Sequence, residues 1–325
     1  MVVSQTPLRI SFAGGGTDFP AYYLERGGMV LSTAIDKYVY VVVKARYDDS
    51  IRVGYSQTEN ADSIDGLEHE LVRESLRLTG VTSGVEVTTI ADIPSAGSGL
   101  GSSSSVTVGL LNALHAFKGD AQPAEVLAEQ ACQIELDILG KPIGKQDQYI
   151  AAFGGMRQIE FGTDGEVHVN SLYAKRVTDQ LNQELLLFHT GQGRQSADIL
   201  AEQDSRTRDN GDYLDGIKAL ALEAASVLRD GGPRPLGDIL HRNWQLKKRL
   251  ASTISTPAID DMYARARAAG ATGGKICGAG GGGHLLLYCP PERREAVKAA
   301  LRDYRQLSFR LEPQGTRILL NTGPD

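Results

Sequence analysis

The chain has 325 residues, 41% hydrophobic and 23% charged, with a net charge of −6; that length favours two domains over one core. The acidic balance argues against a nucleic-acid binder, and no apolar run reaches the roughly 18 residues of a membrane span. Cys132, Cys277 and Cys289 form no CxxC pair and the six histidines are scattered, so reduced thiols, no zinc site and a cytoplasmic location are expected, with no secretory leader in Met1-Val2-Val3-Ser4-Gln5-Thr6-Pro7.

The first half begins rich in strands. Residues 8–13 read as one strand, and 29–35 and 38–47 as two more, rich in Val and Tyr and separated by Asp36-Lys37. A helix is expected over 68–78 and a strand over 85–91, after which Pro94 to Gly101 breaks the pattern. Helices follow at 102–117, 123–139 and 146–153, then strands at 156–161 and 184–189. The second half is helical over 196–229, 236–252 and 258–269, and closes with a strand at 284–289, a helix at 292–303 and a strand at 316–321. Strands and helices are grouped rather than alternating, which favours α+β. The weakest-patterned stretch, 163–183, suggests domains at 1–175 and 176–325.

Two glycine-serine signatures dominate the chemistry. The first is Pro94-Ser95-Ala96-Gly97-Ser98-Gly99-Leu100-Gly101-Ser102-Ser103-Ser104-Ser105, between an expected strand and an apolar helix. Glycines let backbone wrap a phosphate, and the serines set N–H and hydroxyl donors at a helix start. No lysine follows Gly101, so this is not a Walker A loop. The plain alternative is a serine-capped turn with spare glycines. The second is Lys275-Ile276-Cys277-Gly278-Ala279-Gly280-Gly281-Gly282-Gly283. It satisfies G-x-G-x-x-G literally, but a strand follows where the dinucleotide fingerprint needs a helix, so that reading is rejected.

Two further groups are weaker alone. Arg9 with Gly14-Gly15-Gly16-Thr17-Asp18 sets a cation and a carboxylate around a glycine turn, for a polar ligand or for a structural ion pair. Glu135, with Gly144-Lys145-Gln146-Asp147-Gln148, offers two carboxylates that suit a Mg²⁺ ligand and a base, or that are ordinary helix-surface acids.

Together these motifs, in this order, resemble the GHMP kinase family over nearly the whole chain. The resemblance implies an N-terminal domain like ribosomal protein S5 domain 2, a ferredoxin-like C-terminal α+β domain and an active site between them. It implies ATP and Mg²⁺ as cofactors and a small sugar or sugar phosphate as the acceptor. Carried over, Pro94, Gly97, Ser98, Gly99, Leu100, Gly101, Ser102, Ser103 and Ser104 cradle ATP. Ser103 and Glu135 hold Mg²⁺, Asp147 is the catalytic carboxylate, and Arg9 is the basic residue beside the reacting hydroxyl. Gly15, Gly16, Thr17 and Asp18 bind the sugar, while Gly14-Gly15-Gly16 replaces the charged residues of the galactokinase pattern and argues against galactose.

Arg-Ile-Ser-Phe-Ala-Gly-Gly-Gly-Thr-Asp at 9–18 is similar to the heptose 7-phosphate kinase branch, which implies transfer to an anomeric hydroxyl of a phosphosugar. A second anion pocket is then required. Lys145, Lys275 with Gly280 and Gly281, and Arg194 in His189-Thr190-Gly191-Gln192-Gly193-Arg194 are its candidates. A fucokinase- or galactokinase-like enzyme and a non-catalytic sugar and ATP sensor are the alternatives.

Overall fold

The computed structural model describes residues 1–94, 97–172, 174–192, 196–230 and 232–323. The chain runs β1 (Val2–Ala13), α1 (Pro20–Arg26), β2 (Gly28–Ala45), β3 (Ile51–Gly54), β4 (Thr58–Ala61), α2 (Glu70–Thr79), β5 (Val85–Ala91), α3 (Ser102–Phe117), α4 (Ala124–Cys132), α5 (Gln146–Phe153), β6 (Met156–Phe161) and β7 (Val167–Ser171). It continues α6 (Lys175–Glu184), β8 (Leu185–His189), α7 (Ser196–Ser205), α8 (Gly211–Arg229), α9 (Leu236–Lys247), α10 (Pro257–Ala268), β9 (Gly273–Ile276), β10 (His284–Tyr288), α11 (Arg294–Ala300) and β11 (Arg317–Asn321).

Eight strands form one sheet in the order β11-β1-β2-β5-β3-β4, with β6 on β2 and β7 on β6. Three strands, β8-β10-β9, form a second antiparallel sheet. Helices α3 and α8 both pack on β1 and β2, so β1 is buried along nearly its whole length rather than alternating. A second apolar cluster, with Trp244, Ile276 and Leu285 among its members, joins the small sheet to α9 and α10.

Several expectations change here. Asp36 and Lys37 do not separate two strands. β2 runs through them, and β1 pairs Pro7 with Tyr38 and then Leu8 with Ile35, so the two residues are absorbed as a bulge. Pro7, which lacks an N–H, sits where the ladder slips. The helix expected over 123–139 becomes α4 followed by a π-helical turn, Gln133–Ile138. The helix expected over 196–229 breaks into α7 and α8 around Asn210, whose Nδ2 donates to the Leu250 carbonyl at 2.8 Å. The stretch 163–183 holds β7 of the first sheet and α6. β11 pairs with β1, Val2 opposite Asn321, so the last strand of the chain lies in the first sheet rather than with the strands β8, β9 and β10. Among the described residues no helix is long and apolar enough to cross a membrane.

Candidate active site

A cleft of about 440 Å³ opens where the two glycine signatures meet. Gly97, Gly99 and Gly101 all take positive φ, 69°, 72° and 78°. Gly101 is the left-handed N-cap of α3, and among the described residues no side chain caps that helix start. The first N–H groups of a 16-residue helix are thus left for a ligand at its positive end. Ser102, Ser103 and Ser104 line the cleft there, Ser103 exposed and the other two buried. Ser98 and Ser102 hydroxyls are 3.1 Å apart and brace the loop. Leu100 is fully buried core, and Pro94 is exposed and outside the cleft lining.

The close approach of the two loops explains their glycines as well as any ligand does. A Cβ on Gly99 would lie 2.5 Å from the Cys277 carbonyl oxygen, and one on Gly278 would lie 2.7 Å from the Gly99 Cα. His284, at the start of β10, places its Nδ1 2.8 Å from the Ser98 carbonyl. Gly278 and Ala279 line the cleft. Gly280 and Gly281 instead fit the loop onto Ile254, whose carbonyl accepts from the Gly281 N–H at 2.8 Å.

Beside the first loop, Arg9 on β1 grips Asp147 at the start of α5. Its Nε and one Nη each donate to a different carboxylate oxygen at 2.7 Å. Its other Nη donates to the Gly99 carbonyl at 2.6 Å, and its backbone N–H to the Leu100 carbonyl at 2.9 Å. The Arg9 side chain is 6% exposed and that of Asp147 is 22%, so the pair is oriented from behind and open on the cleft side. The ion pair contemplated for this region therefore joins Arg9 to Asp147, not to Asp18. Asp18 is buried and accepts from the Gly16 N–H at 2.9 Å, the Gln146 N–H at 3.2 Å and Gln146 Nε2 at 3.0 Å. Burial pushes its carboxyl up, against those bonds. Gly15 and Gly16 line the cleft, while the Thr17 hydroxyl is spent on the Gly14 and Met29 carbonyls.

Glu135 sits inside the π-helical turn, fully buried. Ser104 donates its hydroxyl to Oε2 at 3.2 Å, and Oε1 has no partner among the described residues. Burial raises this carboxyl to about 7, against the pull of nearby Lys141. An unpartnered carboxylate oxygen lining a phosphate cleft fits a hard cation, and Ser103 offers a hydroxyl in the same cleft. Among the described residues no group of three or more acidic, His or Cys side chains gathers, so such an ion would draw other ligands from phosphate and water.

Two lysines enter from the second half. Lys275 on β9 donates to the Ser11 carbonyl at 2.8 Å, and Lys247 at the end of α9 donates to the Gly278 carbonyl. Burial lowers Lys247 to about 8 and Lys275 well below the usual lysine range, each with a neighbouring cation adding to the shift. Lys247 was not singled out in the sequence, although it follows Leu240 and Trp244 on the buried face of α9. A lysine at an apolar spacing is the signal that marks it. Ser11 and Gln146 also line the cleft and had no assigned role. Lys145 does not line it: its ammonium lies 5.2 Å over the Tyr23 ring, in an adjoining cavity. Arg194 lies outside the described residues.

An open helix N-terminus for phosphate, facing a carboxylate held by an arginine, is the construction of a phosphotransferase. The models for the GHMP kinase N-terminal and C-terminal domains match residues 68–155 and 218–306. A D-glycero-alpha-D-manno-heptose 7-phosphate kinase of Campylobacter jejuni is 29% identical over 317 residues, covering 92% of each chain. A structure described as a D-glycero-D-manno-heptose 1-phosphate kinase of Bacteroides thetaiotaomicron superposes with a TM-score of 0.83 at 28% identity, covering 99% of this chain and 100% of that one. An L-fucokinase/L-fucose-1-P guanylyltransferase of Bacteroides fragilis is 29% identical over 330 residues, 88% of this chain but 34% of that longer protein. The chain belongs to the GHMP kinase family, whose phosphate donor is ATP, and has its two-domain α+β fold.

Proposed function

We propose that the chain transfers the γ-phosphoryl group of ATP to a sugar phosphate, the anomeric hydroxyl of D-glycero-D-manno-heptose 7-phosphate being the acceptor. The observation that carries this is the Arg9–Asp147 pair, fixed to the edge of the phosphate loop through the Gly99 carbonyl. The heptose phosphate names of two relatives support the acceptor class, although those names differ on which end carries the phosphate.

The acceptor oxygen attacks the γ-phosphorus in line, the bond from that phosphorus to the bridging β–γ oxygen breaks, and ADP leaves. Asp147 takes the acceptor's proton. Each of its oxygens already accepts from Arg9, but a carboxylate oxygen has a second lone pair free for a hydroxyl. Arg9 fixes that carboxylate and tethers it to the loop that holds the triphosphate, so the two reactants meet in one orientation. Asp18, preset by three N–H donors, anchors sugar hydroxyls. Glu135 and Ser103 would hold Mg²⁺, which when bound supplies charge neutralisation on the triphosphate. The three cysteines are free and buried, which suits the cytoplasmic location expected from the sequence.

The fucokinase relative favours a second reading, a sugar-1-kinase for a neutral sugar. A panel of sugars and sugar phosphates with coupled ADP detection separates the two. Turnover with heptose 7-phosphate at least ~100-fold above neutral sugars supports the first, and the reverse order replaces it.

A further inference from the structure

The cleft holds more positive charge than ATP transfer to a neutral sugar uses. Arg9 is matched by Asp147 in a two-bond pair. Lys247 and Lys275 are matched by nothing comparable. Among the described residues neither takes part in an ion pair, and each has one bond, to a backbone carbonyl. An ammonium carries three donors, so both have donors to spare, and both line the cleft. On β1 beside them lies a third spare donor: the Ser11 hydroxyl is buried, lines the cleft and has no partner among the described residues.

Two buried, unpaired cations and an orphaned hydroxyl are costly unless an anion completes them. The triphosphate already has the open N-terminus of α3, the loop amides and the Glu135 region. Of the carboxylates that line the cleft, Asp147 pairs with Arg9, Glu70 pairs with Lys141, Asp18 is held by three N–H donors and Glu135 accepts from Ser104.

We propose that Lys247, Lys275 and Ser11 form a seat for the phosphate that the acceptor sugar already carries, separate from the glycine-serine loop. This rests on the sugar-phosphate reading above and deepens it: two ammoniums balance the charge of about −2 on a phosphate monoester, whereas a neutral sugar leaves them uncompensated. Lys145 and Arg194, candidates by sequence for the same task, are not needed for the seat. Burial sharpens the selectivity, since lysines whose charge is disfavoured in the empty cleft regain it when a dianion arrives.

The test has two arms. In the first, the protein is saturated with a non-hydrolysable ATP analogue and Mg²⁺, so that the loop is filled, and inorganic phosphate is titrated while melting is followed. A phosphate-dependent rise in Tm that disappears in Lys275→Met and Lys247→Met supports the seat; no rise in the parent protein overturns it. In the second, kcat/KM is measured for a sugar phosphate and for its dephosphorylated sugar. The ratio falls by about 100-fold in either lysine variant and by about 5-fold in Ser11→Ala, which keeps the backbone and changes little volume. A ratio that holds while the KM for ATP rises assigns the lysines to the nucleotide and overturns the proposal. Failure of every sugar phosphate to react sinks the proposed function, but leaves the phosphate-induced rise in Tm to decide the seat.

Discussion

Replacing Asp147 by Asn keeps the volume of the side chain and removes its charge and one of its two acceptors. Arg9, with its side chain 6% exposed, then faces an amide nitrogen where it had a 2.7 Å bond to an oxygen. Breaking a buried pair costs about 3–5 kcal/mol, and the 22% exposure of Asp147 lets water return part of that, so about 2 kcal/mol of stability should be lost. That corresponds to a Tm lower by about 4 °C. The catalytic loss is larger. Removing a positioned base costs about 10²–10⁴ in rate, or roughly 3–5 kcal/mol at the transition state. Nucleotide affinity should stay within about 3-fold, because among the described residues Asp147 bonds only to Arg9 and not to the phosphate loop. Arg9→Met should behave differently: it also cuts the bond to the Gly99 carbonyl, so the Kd for nucleotide rises about 10-fold alongside the loss of kcat. The assay is steady-state ADP release together with calorimetric titration of a non-hydrolysable ATP analogue. An Asp147→Asn enzyme with near-parental kcat, or one that loses nucleotide affinity as Arg9→Met does, refutes the assigned roles.

Further outcomes follow from the same geometry. Gly99→Ala places a methyl group 2.5 Å from the Cys277 oxygen at a φ of +72°, so it should cost about 2–3 kcal/mol, lower Tm by about 5 °C and raise the KM for ATP; an unchanged melting curve would show that the loops do not pack this tightly. Glu135→Gln should raise the Mg²⁺ concentration needed for half-maximal activity by about 10-fold or more, read from rate against free Mg²⁺, and an unshifted curve removes Glu135 as a ligand. Lys247 has a folded pKa of about 8, below its unfolded value, so the folded state binds fewer protons between the two. Its burial penalty is therefore fully present below pH 8 and fades as pH rises toward the unfolded value. Lys247→Met should be more stable than the parent at pH 7, by about 2 kcal/mol, with the gap closing toward pH 10; a gap independent of pH contradicts the buried ammonium.

The parts of this site that follow local rules could be read from the chain. A glycine run before an apolar helix announces an open N-terminus, and the helix at 102–117 begins and ends where the pattern put it. Features created by distant packing could not. Asp36-Lys37 looks like a break, and only the slip of β1 past it reveals a bulge. Glu135 looks like a surface acid on a regular helix; the π-helical turn is what buries it. β11 reads as a local strand, and nothing in 316–321 says that its partner is β1, with Val2 opposite Asn321 at the far end of the chain. Gly280 and Gly281 read as ligand glycines, yet they lie against Ile254 and outside the cleft lining, which only the fold of the loop reveals. Lys247 was legible in principle, since a cation at an apolar position of an amphipathic helix needs an anion or a cleft.

The central claim is that this cleft moves a phosphoryl group from ATP to the anomeric oxygen of a sugar phosphate. ³¹P NMR of the purified protein with MgATP and heptose 7-phosphate tests it directly. The expected spectrum loses the γ-phosphate signal, gains ADP and shows a second phosphomonoester coupled to the anomeric proton. Unchanged ATP, or a new phosphate coupled to a different sugar proton, would contradict it.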